Sequence, residues 1–218
     1  VTAVDLVVAP CTRRAAIWAV RRWHYAGTMP WGKAATVGAW ESGAFVGALV
    51  FSRGGNHRIG SPYGLPQGQV AELSRVALDV HQVPTTAILA RAVRLLRASS
   101  PGVRLLVSYA DPAHGHIGRL YQAANWVHTG RVDPNNVHVY RVRGRVVHSR
   151  VLADLAADRD PGERPLDYVR RTVDPEAHRV RGVPPKLRYL YPLDRAMRRQ
   201  LVPLALPYPR DLPEVNPR

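Results

Sequence analysis

The sequence predicts a mixed α/β fold with helices packed on a central sheet, and three observations predict it. Leu105, Leu106 and Val107 form an apolar run of strand length that passes through turn chemistry at Pro112 to Gly115. The spacing of Leu120, Tyr121 and Ala124 then fits a short helix that stops at Asn125, and strand character resumes at Trp126 to Thr129. Upstream, Val70 to Leu78 reads as a strand leading through Pro84 into a helix over 85–98, with Ile88, Leu89, Ala92, Leu95 and Leu96 on one broad face. Strands alternating with helices in this way build a layered sheet.

The remaining elements follow in order. Residues 4–9 read as a first strand, and Thr12 can cap a helix running to about Trp23. Thr36 to Trp40 and Ala44 to Ser52 are β-prone runs joined by Glu41, Ser42 and Gly43, a hairpin signal. Arg53 to Gln69, rich in Gly, Pro and Asn, is a long loop of the kind that is often functional. Val137 to Val147 forms a late ribbon around Gly144. From Val151 onward prolines recur, so residues 151–218 read as a basic extension wrapping a main domain at 1–150. One helix is expected there, near Leu193 to Leu201, with Asp194 as its cap.

At 218 residues and 46% hydrophobic, the chain can bury one substantial core. A single cysteine, Cys11, excludes an internal disulfide framework and a cysteine zinc cluster, which makes a reducing cytoplasm the natural compartment. No apolar run approaches the roughly 20 residues of a membrane span, and the opening VTAVDLVVAP, with Asp5 and no basic leader, reads as strand and not as signal peptide. The formal net charge of +15 suggests a polyanionic partner such as nucleic acid. Nearly all the basic residues are arginine, with Lys33 and Lys186 the exceptions, a bias that a GC-rich genome also produces. Carboxylates are scarce in the first 130 residues, where only Asp5, Glu41, Glu72, Asp79 and Asp111 occur.

Ser108, Tyr109 and Asp111 lie at the carboxyl end of a central strand, where open α/β sheets place ligands. Two further segments carry chemistry: Arg22-Trp23-His24-Tyr25-Ala26-Gly27-Thr28-Met29-Pro30 and Glu72-Leu73-Ser74-Arg75-Val76. His24 and Tyr25 can serve as base, metal ligand or hydrogen-bond donor. Arg75 in an otherwise apolar strand needs a partner if buried, and strict alternation puts Glu72 on the opposite face. His114 and His116 can join Asp111 and His24 around a metal, although their spacing matches no strong signature. Arg21, Arg22, Arg53, Arg58, Arg195, Arg198 and Arg199 are the candidate nucleic-acid contacts, with Trp23, Tyr25, Trp31 and Tyr63 available to stack a base.

These segments, with Gly60-Ser61-Pro62-Tyr63-Gly64-Leu65 and Arg188-Tyr189-Leu190-Tyr191-Pro192-Leu193-Asp194-Arg195, together resemble the Mom family of phage DNA-modification proteins over nearly the whole chain. The resemblance implies a fold like that of the Gcn5-related N-acetyltransferases for residues 1–150. In those enzymes a helix amino terminus after a strand receives the pyrophosphate of acetyl coenzyme A. The matching junction here would offer Val76, Leu78, Thr85 and Thr86 to acetyl coenzyme A or another acyl or glycyl donor. It lacks the glycine-rich turn of a standard acetyltransferase. Tyr121 matches the position near the leaving thiolate, which makes His24, Tyr25, Arg75, Ser108, Asp111 and Tyr121 the candidate catalytic set.

The resemblance implies transfer of a carbamoylmethyl group to adenine N6 in DNA, hiding adenine from restriction endonucleases. The new bond joins nitrogen to a methylene carbon, which simple acyl transfer does not make, so a redox metal such as iron is a candidate for activating that carbon. A paired adenine would have to be flipped out or met on a single strand. Conventional acylation of a small-molecule or protein amine, and non-catalytic DNA binding, are the alternatives. A homodimer is one option for the assembly.

Overall fold

The computed structural model describes residues 4–132 and 138–212. A seven-stranded sheet runs in the order β1-β2-β3-β4-β5-β10-β6, formed by Leu6–Pro10, Ala34–Glu41, Ala44–Ser52, Val70–Leu78, Leu105–Ala110, Leu187–Pro192 and Val127–Arg131. All neighbours are antiparallel except β4 and β5. The expected α/β class is therefore observed, and the helices pack on both faces of the sheet.

Alternation along the strands sorts the core into two sides. Leu49 and Phe51 of β3, Leu73 of β4 and Leu106 of β5 meet Ile88, Leu89 and Ala92 of helix α2 (Thr85–Ser99). Ala48 and Val50, which point the other way, meet Ala16, Ala19 and Val20 of helix α1 (Arg13–Trp23). Leu105 and Val107 share that second side with Ile59, Tyr63 and Leu65 of the long loop and with Met197 and Leu201 of a C-terminal helix. Each fully buried Leu or Ile contributes roughly 1.5–3 kcal/mol, so both sides anchor the sheet. Thr12 caps α1 by accepting the Ala15 N–H at 3.2 Å, as its position before the apolar spacing predicts.

The extension beyond residue 150 does more than wrap. It supplies β10 to the interior of the sheet, between β5 and β6. The segment Leu187–Pro192 alternates with Tyr189 and Leu190 fully buried on opposite sides, so its strand character was masked in the sequence only by the surrounding prolines. The C-terminal helix, Arg195–Leu201, starts at Asp194, whose carboxylate accepts the Met197 N–H at 2.7 Å and pairs with Arg104 at 2.7 Å. Between these regions a small three-stranded sheet, β8-β7-β9 (Arg145–His148, Val139–Val142, His178–Arg179), packs with helices Ser149–Leu155 and Pro165–Thr172 around Val142, Leu152, Ala156 and Val169. The expected ribbon turns at Arg143-Gly144, although Val137 lies outside the described residues. Among the described residues no helix is long and apolar enough to cross a membrane.

Candidate active site at the fork between two parallel strands

Strands β4 and β5 pair only from Val70 to Glu72 and from Leu105 to Val107. Beyond that point they separate, and the gap opens at the carboxyl ends of both strands. Ser108 sits at the apex of this fork. Its hydroxyl lies 2.8 Å from the Leu73 carbonyl oxygen and 2.7 Å from the Tyr121 hydroxyl. A carbonyl can only accept, so Ser108 donates to Leu73 and accepts from Tyr121. Tyr121, on the short helix Arg119–Ala123, is thereby aimed into the fork, and burial pushes its phenol up to about 12 despite the Ser108 hydrogen bond.

A β-bulge in β4 changes the expected geometry of Glu72 and Arg75. Phe51 pairs with Leu73 while its neighbour Val50 pairs with Arg75, so Ser74 is an extra residue. The inserted residue reverses the alternation: Ala71 and Leu73 join the α2 side before it, whereas Val76 and Leu78 do so after it. Glu72 and Arg75 consequently share the opposite, α1 side, correcting the expectation that spacing by three separates them. No spacing rule reveals a bulge, although a serine within an apolar strand beside a charged residue is a weak sign of one.

Arg75 donates from Nε to the Thr28 carbonyl at 2.9 Å and from its guanidinium to the Ser74 carbonyl at 2.7 Å. It thus pins the loop after α1 onto the sheet. On that loop Tyr25 stacks against His24, with ring centroids 4.4 Å apart, and against His114, 4.2 Å away, while His116 tilts toward it at 5.4 Å. Burial, followed by the charge of Asp111, pushes the Tyr25 phenol up to about 12. Asp111 is buried, accepts the Ala113 N–H at 3.1 Å and pairs with Lys186 at 3.2 Å. Sequence reasoning missed Lys186. Its one available signal was rarity, since a lysine survives there in a chain that otherwise favours arginine.

Glu72 is the second residue that the sequence undervalued. Desolvation raises its pKa, only partly offset by a hydrogen bond from the Gly55 backbone and the neighbouring Ser74 and Arg75. The loop expected to contact DNA through Arg53 and Arg58 also turns tightly over this carboxylate. Gly54 adopts φ +81° there, and a Cβ at that position would meet Ile59 at 2.9 Å and Glu72 Oε2 at 3.2 Å. Tyr109, on the same side of β5, is pushed up to about 12 by burial and by Glu72.

His24 accepts the Ala26 N–H on Nδ1 at 3.1 Å, which places the proton of the neutral ring on Nε2. Burial, then repulsion from Arg75, His116, His114 and Lys186, lowers its pKa to about 4. The ring is therefore neutral at pH 7 and, with Nδ1 engaged by the Ala26 N–H, presents Nε2–H as a donor, the hydrogen-bonding role among the three that the sequence left open. Because the free ring binds a proton near pH 6.5 and the folded one near 4, the unfolded chain takes up that proton first. The stabilising effect of a neutral His24 is full above about pH 6.5 and is lost as pH falls toward 4. After allowance for solvent screening it amounts to about 2 kcal/mol. We expect His24→Asn to flatten the decline in urea midpoint between pH 7 and pH 4.5; an unchanged decline would show that His24 titrates freely.

The residues do not fit the expected metal. Among the described residues no group of three or more His, Cys, Asp or Glu side chains is arranged to hold one. His24 Nδ1 is occupied by a backbone N–H, and Asp111 is taken by Lys186. The donor residues named at the strand-to-helix junction fare unevenly. Val76 and Leu78 lie on the stretch of β4 whose β5 side is unpaired, but the Thr85 hydroxyl is engaged by His81 Nε2 at 2.9 Å. Thr86 is partly buried in the first turn of α2.

The arginines proposed for nucleic acid are all exposed. Arg21 and Arg22 end α1, with Arg22 over the Trp18 ring at 5.9 Å; Arg53 and Arg58 lie on the long loop; and Arg195, Arg198 and Arg199 lie on the C-terminal helix. All three elements pack on the sheet side that carries Glu72 and Arg75. Of the four expected stacking aromatics, Tyr63 is buried and Trp23 packs on Trp18 and Phe45. Tyr25, 47% exposed, is stacked on His24 and His114, and Trp31, 72% exposed, is the more open of the two.

No curated protein sequence matches the chain. Among solved structures it is similar to FeeM, an N-acyl amino acid synthase from uncultured soil microbes, at 14% identity and a TM-score of 0.49, covering 90% of this chain and 94% of that one. It is also similar to the polyamine N-acetyltransferase of Drosophila melanogaster, at 10% identity and a TM-score of 0.48, covering 87% of this chain and all of the other. The model of the Mom protein family matches residues 5–210, a span that includes α1, the fork and the C-terminal helix alike. The chain belongs to the Mom protein family.

Proposed function

We propose that this protein is a DNA adenine-modifying transferase that replaces a hydrogen on adenine N6 with a carbamoylmethyl group. The observation that carries the reading is the pairing of two unlike proton-handling groups across one fork, Glu72 on the α1 side and Tyr121 behind Ser108, beneath three exposed arginine clusters. The arginines would hold the phosphate backbone, and the target base would be extruded toward the fork, with Trp31 exposed at the approach.

In the reaction the N6 nitrogen forms a bond to the methylene carbon of an activated donor. The donor's leaving group departs with the bonding electron pair, and N6 loses one proton. Glu72 accepts that proton, because burial makes its carboxylate a stronger base than a solvated one. Tyr121, fully protonated near neutrality, can turn its O–H from Ser108 to the leaving group and give up that proton, while Ser108 stays anchored to the Leu73 carbonyl. His24 Nε2–H and Arg75 supply hydrogen bonds to the base, and Asp111, fixed by Lys186, holds the turn carrying His114 and His116 against Tyr25.

Mass spectrometry of nucleosides from DNA of cells expressing the protein tests this reading. An adenosine species heavier by about 57 mass units, absent with Asp111→Ala, is the expected result. A gain of about 42 units would indicate acetylation instead, and no modified nucleoside from cells holding folded protein would overturn the assignment.

A further inference from the structure

The junction between β4 and α2 already holds an anion, and it belongs to the chain. Glu41 closes β2, is 8% exposed, and points its carboxylate across to the loop ahead of α2. The Gln82 N–H donates to its two oxygens at 2.9 and 3.1 Å, and the Val83 N–H donates at 2.7 Å. Those backbone bonds hold Glu41 below the usual carboxylate range. Asp79 adds a further negative charge at the end of β4, and His81 is tied to the Asp79 carbonyl and to Thr85. A diphosphate brought here would have to displace Glu41 and lie beside Asp79.

We propose that Glu41 is a built-in anion that fills the diphosphate position of the acetyltransferase-like fold, so that the donor group is not delivered as a coenzyme A thioester held at this junction. The open edge of β4 beyond Glu72 then receives a donor that needs no diphosphate cradle. This inference holds whichever amine is modified.

Two measurements test it. Calorimetric titration of the wild-type protein with coenzyme A should show no saturable binding up to about 1 mM. In thermal melts, inorganic pyrophosphate should raise the Tm of Glu41→Ala by about 3–6 °C at a tenfold excess over its dissociation constant, and leave the wild type unmoved. Saturable binding of coenzyme A to the wild type overturns the proposal. So does pyrophosphate that stabilises both proteins alike, or that fails to stabilise a folded Glu41→Ala. If that variant does not fold, Glu41→Gln, which keeps one acceptor oxygen but no charge, replaces it in the melts with the same expected and overturning results. Coenzyme A binding together with the 57-unit nucleoside would overturn this inference and leave the proposed function standing; absence of both would do the reverse.

Discussion

Glu72→Gln should lower the rate of DNA modification by about 10²–10⁴, the range that general acid–base catalysis supplies, without lowering stability. Glutamine has nearly the same shape and keeps an acceptor for the Gly55 N–H, so the loop over β4 stays in place. What it loses is the capacity to take a proton. The stability readout separates this role from a structural one. A carboxyl whose folded pKa is raised is most favourable to folding when protonated, below about pH 4.5, and that advantage is lost as pH rises through the folded value. At pH 7.5 the wild type therefore bears a desolvation cost that the glutamine variant does not, and the variant's Tm should equal or exceed that of the wild type. The gap should close on acidification. Full activity in Glu72→Gln would remove Glu72 from the proton path, and a large fall in Tm would mark it as a packing residue.

The contrast between Glu72 and the rest of the site shows what the sequence could carry. Strand β4 was legible to the residue, as was the first residue of α2, because apolar content, Pro84 and helical spacing agree there. His24, Tyr25, Asp111 and Tyr121 were legible as a set through the resemblance, and they meet around the fork. That Arg75 shares a side of the sheet with Glu72 was not legible, because the bulged Ser74 between them inverts every side chain after it. Strand β10 was obscured for another reason. Its pairing with β5 and β6 is long-range, and local proline content gives no hint of a partner some 80 residues earlier. The metal candidates were named from residue type, and spacing could not show what the structure does: His24 Nδ1 accepts a backbone N–H, Asp111 pairs with Lys186, and among the described residues no group of three or more such side chains is arranged to hold a metal.

Removing charge from the α1 side should weaken DNA binding in a manner that identifies the surface. Arg21 and Arg22 on α1 and Arg198 and Arg199 on the C-terminal helix lie on separate elements, yet both helices pack on the sheet side that bears Glu72. If each arginine neutralises one phosphate, either pair replaced by glutamine should lower the salt-dependence slope of binding by about 1.8, and all four together by about 3.6. Affinity at physiological salt should fall by roughly 10²–10³ for the quadruple variant. Arg145 and Arg179 provide the matched control: they are equally exposed and charged, but they lie on the small three-stranded sheet. Net charge alone would make the three pairs equivalent, because long-range attraction depends on total charge and not on position. A reduced slope for the two helix pairs and an unchanged one for the control pair would place the duplex across the face above the fork. Equal losses from all three pairs would mean that the +15 charge acts diffusely, and the extruded adenine would then need another route to Glu72.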